Sequence, residues 1–216
     1  MNTHKLRVHR SWRTALETIP DVNPFTGRTI ARVCVADSTL MDAAIDSAER
    51  AAASARKLSA HERREILKGI AAGIGKRKEE IARMITAESG KPIAFARAEA
   101  DRSVLTFTLA AEEAGRLGGE VIPLDITGAS KGYIGIVRPV PLGAIAAISP
   151  FNFPINLAAH KVAPAIAAGN TVVLKPPSQT PMTALLLGEI AEKAGVPAGM
   201  LNVVPAPFPV ADRLVT

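Results

Sequence analysis

From Gly143 onward the chain has few ways to fold. Three short apolar runs, "GAIAAIS", "NTVVLKP" and "LNVVP", are separated by two longer stretches, "FPINLAAHKVAPAIAAG" and "TPMTALLLGEIAEKAG". The longer stretches have helical length and stop at Gly169 and Gly195, glycine being a common helix terminator. Strands that are apolar throughout belong in a parallel sheet covered on both faces by helices. The pattern predicts βαβαβ, the half-unit of a doubly wound nucleotide-binding fold. Ligands of such sheets gather beyond the carboxyl ends of the strands, which here read "SPFN", "KPPSQ" and "PAPFP". No GxGxxG follows any of the three strands and no Walker A motif is present, so a dinucleotide would be held by another arrangement.

Upstream the period is helical. "DST" offers N-cap residues before the Ala-rich "LMDAAIDSAERAAASARKL". Ser59 to Glu62 has capping-box spacing and opens a stretch in which Ile66, Ile70 and Ile74 recur every fourth residue, with Gly73 and Gly75 marking a break. Gly90 and Pro92 stop the next helix, and a third runs from about Ile93 to Gly115. The segment from Asn23 to Ala36, a turn followed by alternation, predicts a hairpin or short strand pair. "GEVIPLD" and "KGYIGIVRPVPLG" predict a second hairpin, with prolines at its ends where a sheet tolerates them. The predicted class is α/β: N-terminal helices, a protruding β-hairpin and a partial Rossmann-like parallel sheet of three strands with an exposed edge. The expected divisions are 1–119 for the helical part, 120–139 for the hairpin and 140–216 for the βαβαβ half.

Composition narrows the setting. One cysteine, Cys34, excludes an internal disulfide and suits a reducing cytoplasm. The formal charge of +6 invites a nucleic-acid reading, but Lys and Arg interleave with Glu along helices, as in "HERREILKGIAAGIGKRKEEIARMI". Aromatics are only 4%, too few for base stacking, so no nucleic-acid partner is expected. No apolar run reaches membrane-spanning length, so no membrane partner is expected either. The basic "MNTHKLRVHRSWR" lacks a hydrophobic signal region and reads as a tail lying on the protein surface.

At the strand ends two residues have competing roles. Lys175 is either a strand-end lysine reaching into water or a cation meeting a ribose hydroxyl or phosphate; Pro176 and Pro177 stiffen its loop. Asn152, set between Phe151 and Phe153, is either a helix N-cap or an amide N–H aimed into the cleft to hold an oxyanion. His160 and Met182 lie within helices among apolar residues and read as core or surface positions. Cys34, in an alternating strand far upstream, reads as a small packing residue.

"PVPLGAIAAISPFNFPINLAAHKVAPAIAAGNTVVLKPPSQTP", with "ESGKP" before it and "AGVPAGMLNVV" after it, resembles the N-terminal cofactor-binding part of the NAD(P)-dependent aldehyde dehydrogenase superfamily. The resemblance runs from "NPFTG" onward. It implies an oxidoreductase that converts a small aldehyde to a carboxylic acid with NAD or NADP. It further implies that Asn152 helps form the oxyanion hole, that Ile148, Ser149, Pro150 and Phe151 run beside the cofactor with Asn152, and that Lys175 and Pro176 meet the adenosine ribose. Ser178 falls where NAD-preferring members often carry Glu; a neutral hydroxyl does not repel a 2′-phosphate, so NADP is expected to be tolerated or preferred. The hairpin from about Glu120 to Pro139 matches the family's oligomerisation arm, implying a homo-oligomer in the full-length form. In the family the nucleophilic cysteine and the base glutamate lie beyond this segment, and the resemblance implies a truncated or split form without its catalytic domain, inactive alone. No metal is implied. "PAPFPVA" stands where many members carry a glycine-containing loop, as in members acting on small hydroxylated or charged aldehydes. The alternative reading is a non-catalytic module that binds a nucleotide or pairs with an oligomer.

Overall fold

The computed structural model describes residues 2–215. Five strands come first: β1 (Thr3–His4), β2 (Leu6–Val8), β3 (Ser11–Arg13), β4 (Thr18–Val22) and β5 (Thr29–Cys34). Four helices follow: α1 (Ser38–Ala55), α2 (Ala60–Lys76), α3 (Lys78–Ser89) and α4 (Ile93–Glu113). The strand pair β6 (Glu120–Pro123) and β7 (Ile134–Val137) leads into the alternating part: β8 (Ala144–Ile148), α5 (Pro154–Ala167), β9 (Thr171–Lys175), α6 (Pro181–Lys193) and β10 (Leu201–Val203). A short α7 (Phe208–Ala211) follows. The protein is α/β.

The three apolar runs pair in parallel, with Ile148 opposite Lys175 and Leu174 opposite Val203. Their side chains alternate between two cores. Val172 and Leu174 face the larger one, filled by α2 to α6, while Val173 joins Leu6, Val8, Met41, Ala44 and Ala48 on the face covered by α1. Ala and Gly at helix contacts let the layers approach closely. Gly73 shows this: a Cβ there would lie 2.5 Å from Ile190 Cγ2 on α6. The sequence suggested a break at Gly73 and Gly75, but α2 runs through both and ends at Lys76, so Gly73 serves close packing instead.

The other expected helix signals act as read. Asp37 accepts the Leu40 N–H at the start of α1. Ser59 and Glu62 form a reciprocal capping box on α2. Gly90 closes α3 in the left-handed conformation. At Asn23 the side chain accepts the N–H groups of Phe25 and Thr26, turning β4 antiparallel onto β5.

The N-terminal residues depart from the sequence reading. "LRV" is not a surface tail: Leu6, Arg7 and Val8 are buried as β2, which pairs antiparallel with β10, and β3 pairs with β2. The sheet therefore has five strands in the order β3-β2-β10-β9-β8, not three. The β10 side is closed by the N-terminal ribbon, while β8 has a neighbour on one side alone among the described residues. The burial of Arg7 is supported by a bond from its guanidinium to the Leu201 carbonyl and by Glu192 at 3.8 Å.

One loop between α6 and β10 depends on a glycine. Gly199 has φ of +78°, and a Cβ there would lie 2.7 Å from the Ser47 carbonyl oxygen and 2.9 Å from Ala51 Cβ. Gly199→Ala is expected to cost about 2–3 kcal/mol through backbone strain and overpacking. Urea unfolding followed by the single tryptophan, Trp12, measures it.

Candidate functional site

The carboxyl ends of β8 and β9 open side by side, and the Ser149 N–H donates to the Lys175 carbonyl at 3.1 Å. Around them lie the residues singled out from sequence. Ile148, Pro150, Phe151 and Asn152 are exposed, Ser149 is buried, Lys175 is half-buried, Pro176 is buried and Ser178 is exposed. The structure thus brings Ile148 through Asn152 and Lys175 to one edge, with Ser178 on the turn that leads into α6.

Three polar side-chain groups at this edge lack hydrogen-bond partners among the described residues. The Ser149 hydroxyl is buried with no hydrogen bond. Burial lowers the pKa of Lys175 from its ordinary value, and no carboxylate among the described residues pairs with it. The third is the Asn152 amide. The N-cap of α5 is Phe153, not Asn152, and among the described residues no hydrogen bond reaches the Asn152 side chain. The N-cap role is thereby taken away from Asn152.

A distant glutamate does the capping. Glu99 on α4 is completely buried, and its Oε1 accepts the backbone N–H groups of Ile155 at 3.1 Å and Asn156 at 3.3 Å. Its other oxygen pairs with Lys91, whose ammonium also donates to the Asn152 carbonyl at 2.8 Å and lies 4.0 Å from the Phe153 ring centroid. A carboxylate at a helix N-terminus meets the orphan N–H groups and the positive end of the helix dipole. Lys91 and Glu99 therefore fix the backbone of Asn152 while leaving its amide free. Sequence reading missed both. Lys91 lies in "ESGKP", read as a helix stop and as part of the resemblance, and Glu99 carried no signal of its own.

The second helix is capped the same way. Glu88 on α3 accepts the Thr183 N–H at 2.8 Å and its hydroxyl at 3.1 Å, at the start of α6. Burial and the nearby Asp21 hold the Glu88 carboxyl well above the usual range. Asp21 is itself buried without a hydrogen bond, and desolvation pushes its pKa to about 6. For a carboxyl raised in the folded state, the associated stability is full below the unfolded value of about 4 and is lost as pH rises through about 6. Between pH 4 and 7 the protein is expected to lose about 2–3 kcal/mol relative to Asp21→Asn, measured by urea unfolding of both across that range.

The remaining candidates lie away from this edge. Cys34 is buried in the α1-side core beside Leu6 and Met41. Met182 is buried in the larger core at the start of α6. His160 is exposed on α5, where it lines a groove against α4 with Thr106, Leu109 and Pro164. Among the described residues no cluster of three His, Cys, Asp or Glu could hold a metal, and no helix is long and apolar enough to cross a membrane. Much of the basic charge is spent in pairs along the helices, such as Arg77–Glu80, Arg97–Glu79 and Lys78–Asp101.

Residues 12–216 match the aldehyde dehydrogenase family. A 3-sulfolactaldehyde dehydrogenase of Priestia megaterium is 40% identical over 198 residues, which are 92% of this chain and 41% of that protein. The succinate-semialdehyde dehydrogenase [NADP(+)] GabD of Escherichia coli is 42% identical over 188 residues, 87% of this chain and 38% of that protein. Among solved structures, aldehyde dehydrogenase 21 of Physcomitrella patens, in complex with the reaction product succinate, superposes with a TM-score of 0.96 at 41% identity, covering 100% of this chain and 45% of that one. The chain spans about two fifths of the length of the curated relatives it matches.

Proposed function

The chain belongs to the aldehyde dehydrogenase family, and from that membership we propose that it forms the cofactor-binding part of an enzyme that oxidises an aldehyde to a carboxylic acid with NAD(P)+. The supporting observation is the free Asn152 amide, held in place by Lys91 and Glu99 at the mouth of the parallel strands. In this reading the helical part (1–119) and the Rossmann-like half (140–216) make one cofactor-binding unit. The hairpin (120–139) is an oligomerisation arm; its apolar Val121, Ile134 and Ile136 are all exposed.

Lys175 and Ser178 would hold the adenosine ribose, and Ile148 through Asn152 would lie along the cofactor. The unpaired ammonium of Lys175 and the orphaned hydroxyl of Ser149 suit such a ligand. A bound nicotinamide would supply the hydride acceptor. The Asn152 N–H donates to the oxygen that gains charge when a thiolate adds to the aldehyde, and the thiolate and the base come from the family's later region. Cys34 has no part in this, since it is buried in the α1-side core. The segment alone binds cofactor without turnover.

Calorimetric titration with NADP and NAD tests the reading. NADP is expected to bind at least as tightly as NAD. Lys175→Ala is expected to weaken NADP about tenfold. Ser178→Glu is expected to disfavour NADP by placing a carboxylate beside the 2′-phosphate. Equal binding of both cofactors to native chain and Lys175→Ala would reject these assignments.

A further inference from the structure

A separate pocket lies where the small sheet β1-β5-β4 meets α3 and the start of α6. Its volume is about 570 Å³, within the roughly 300–1,000 Å³ of small-molecule sites. Glu80, Arg83, Met84 and Ala87 line it from α3, at the spacing of one helix face. Ile30 and Ala31 of β5 and the buried Met182 of α6 complete an apolar lining, and His4 of β1 stands at one side. None of these residues belongs to the edge formed by Ile148 through Asn152 and Lys175.

Two acids and one arginine stand at its opening, and their situations differ. Both Glu79 oxygens are held by the Arg97 fork, at 2.7 and 2.9 Å. Both Glu80 oxygens are held by the Arg77 guanidinium, at 2.7 and 2.8 Å. Arg83 contributes charge to the surroundings of Glu79, yet among the described residues it makes no hydrogen bond or close ion pair. The acids are therefore engaged already, and the group left open is an exposed guanidinium beside an apolar lining.

We propose that this pocket binds a small amphipathic carboxylate, with its apolar body against Ile30, Met84 and Met182 and its carboxylate in the Arg83 fork. A guanidinium meets a carboxylate through two parallel hydrogen bonds. Methionine side chains are flexible and polarisable, so Met84 and Met182 adapt to apolar bodies of different shape. A cationic ligand finds no free acid here, since Glu79 and Glu80 are taken by Arg97 and Arg77. A neutral ligand keeps the apolar contact and leaves Arg83 unused. The inference goes beyond the cofactor reading and does not depend on it.

The test uses the 216-residue chain with octanoate as probe and octanol as its neutral counterpart. The chain has five methionines, whose ¹³C-labelled methyls are followed by ¹H–¹³C NMR. Octanoate is expected to shift the Met84 and Met182 methyls and to leave Met41 and Met200, buried outside the pocket, unmoved. Octanol is expected to bind about tenfold more weakly. Arg83→Gln is expected to bring octanoate down to the affinity of octanol, with Arg83→Lys intermediate because it keeps the charge and loses the fork. Arg83 is exposed, so both variants are expected to keep the native spectrum. Unmoved Met84 and Met182 methyls, equal shifts at all the labelled methyls, octanol binding as tightly as octanoate, or octanoate affinity unchanged in Arg83→Gln would overturn the inference. NADP is expected to bind without displacing octanoate. Displacement would make the pocket part of the cofactor site and overturn the inference, whereas NADP failing to bind would reject the cofactor reading alone.

Discussion

Glu99→Ala is expected to cost about 3–5 kcal/mol of folding stability, the usual cost of removing one partner from a buried ion pair. Three interactions disappear together: the charge opposite Lys91 and the acceptor for two N–H groups at the start of α5. The remaining Lys91 is only 15% exposed in its side chain, so water compensates poorly. Glu99→Gln keeps an acceptor for the helix and loses only the charge, and should fall between the two. Urea unfolding of the three proteins measures this. If Ala and Gln were equally mild, within about 0.5 kcal/mol of native, Glu99 would not be the cap that its geometry indicates.

Asn152→Ala is expected to separate function from stability. Its side chain makes no hydrogen bond within the described residues, so its removal should change stability by less than about 0.5 kcal/mol. A true N-cap would lose about 1 kcal/mol. In the enzyme that carries this segment together with the family's cysteine region, the same change should lower kcat about 10²–10³-fold, the effect of deleting one oxyanion donor. Steady-state kinetics with a saturating aldehyde reads it. An unchanged kcat would remove Asn152 from the site, and a large stability loss would restore it as a cap.

The parts legible in the sequence were those whose signals are local. Apolar runs such as "NTVVL" and the stops at Gly169 and Gly195 mark β9, α5 and α6 without knowledge of their neighbours. The placement of Asn152 and Lys175 at the carboxyl ends of β8 and β9 was legible because the apolar runs that precede them mark those strands. Lys91 and Glu99 were not, because a charged residue on a helix or in the turn between two helices normally faces water, and here the partners lie 61 and 56 positions away in sequence. The strand "LRV" escaped because three residues are too few to show a period, and its central arginine is buried against a carbonyl supplied by the far end of the chain.

That far end sets an order of events. Arg7 meets Leu201 across 194 positions, and His9 meets Asn202 across 193. During synthesis the first residues emerge early and must wait, unpaired, until nearly the whole segment has followed. Closing such a large loop comes late and slows folding. The ribbon acts as a latch that only a finished β10 can engage.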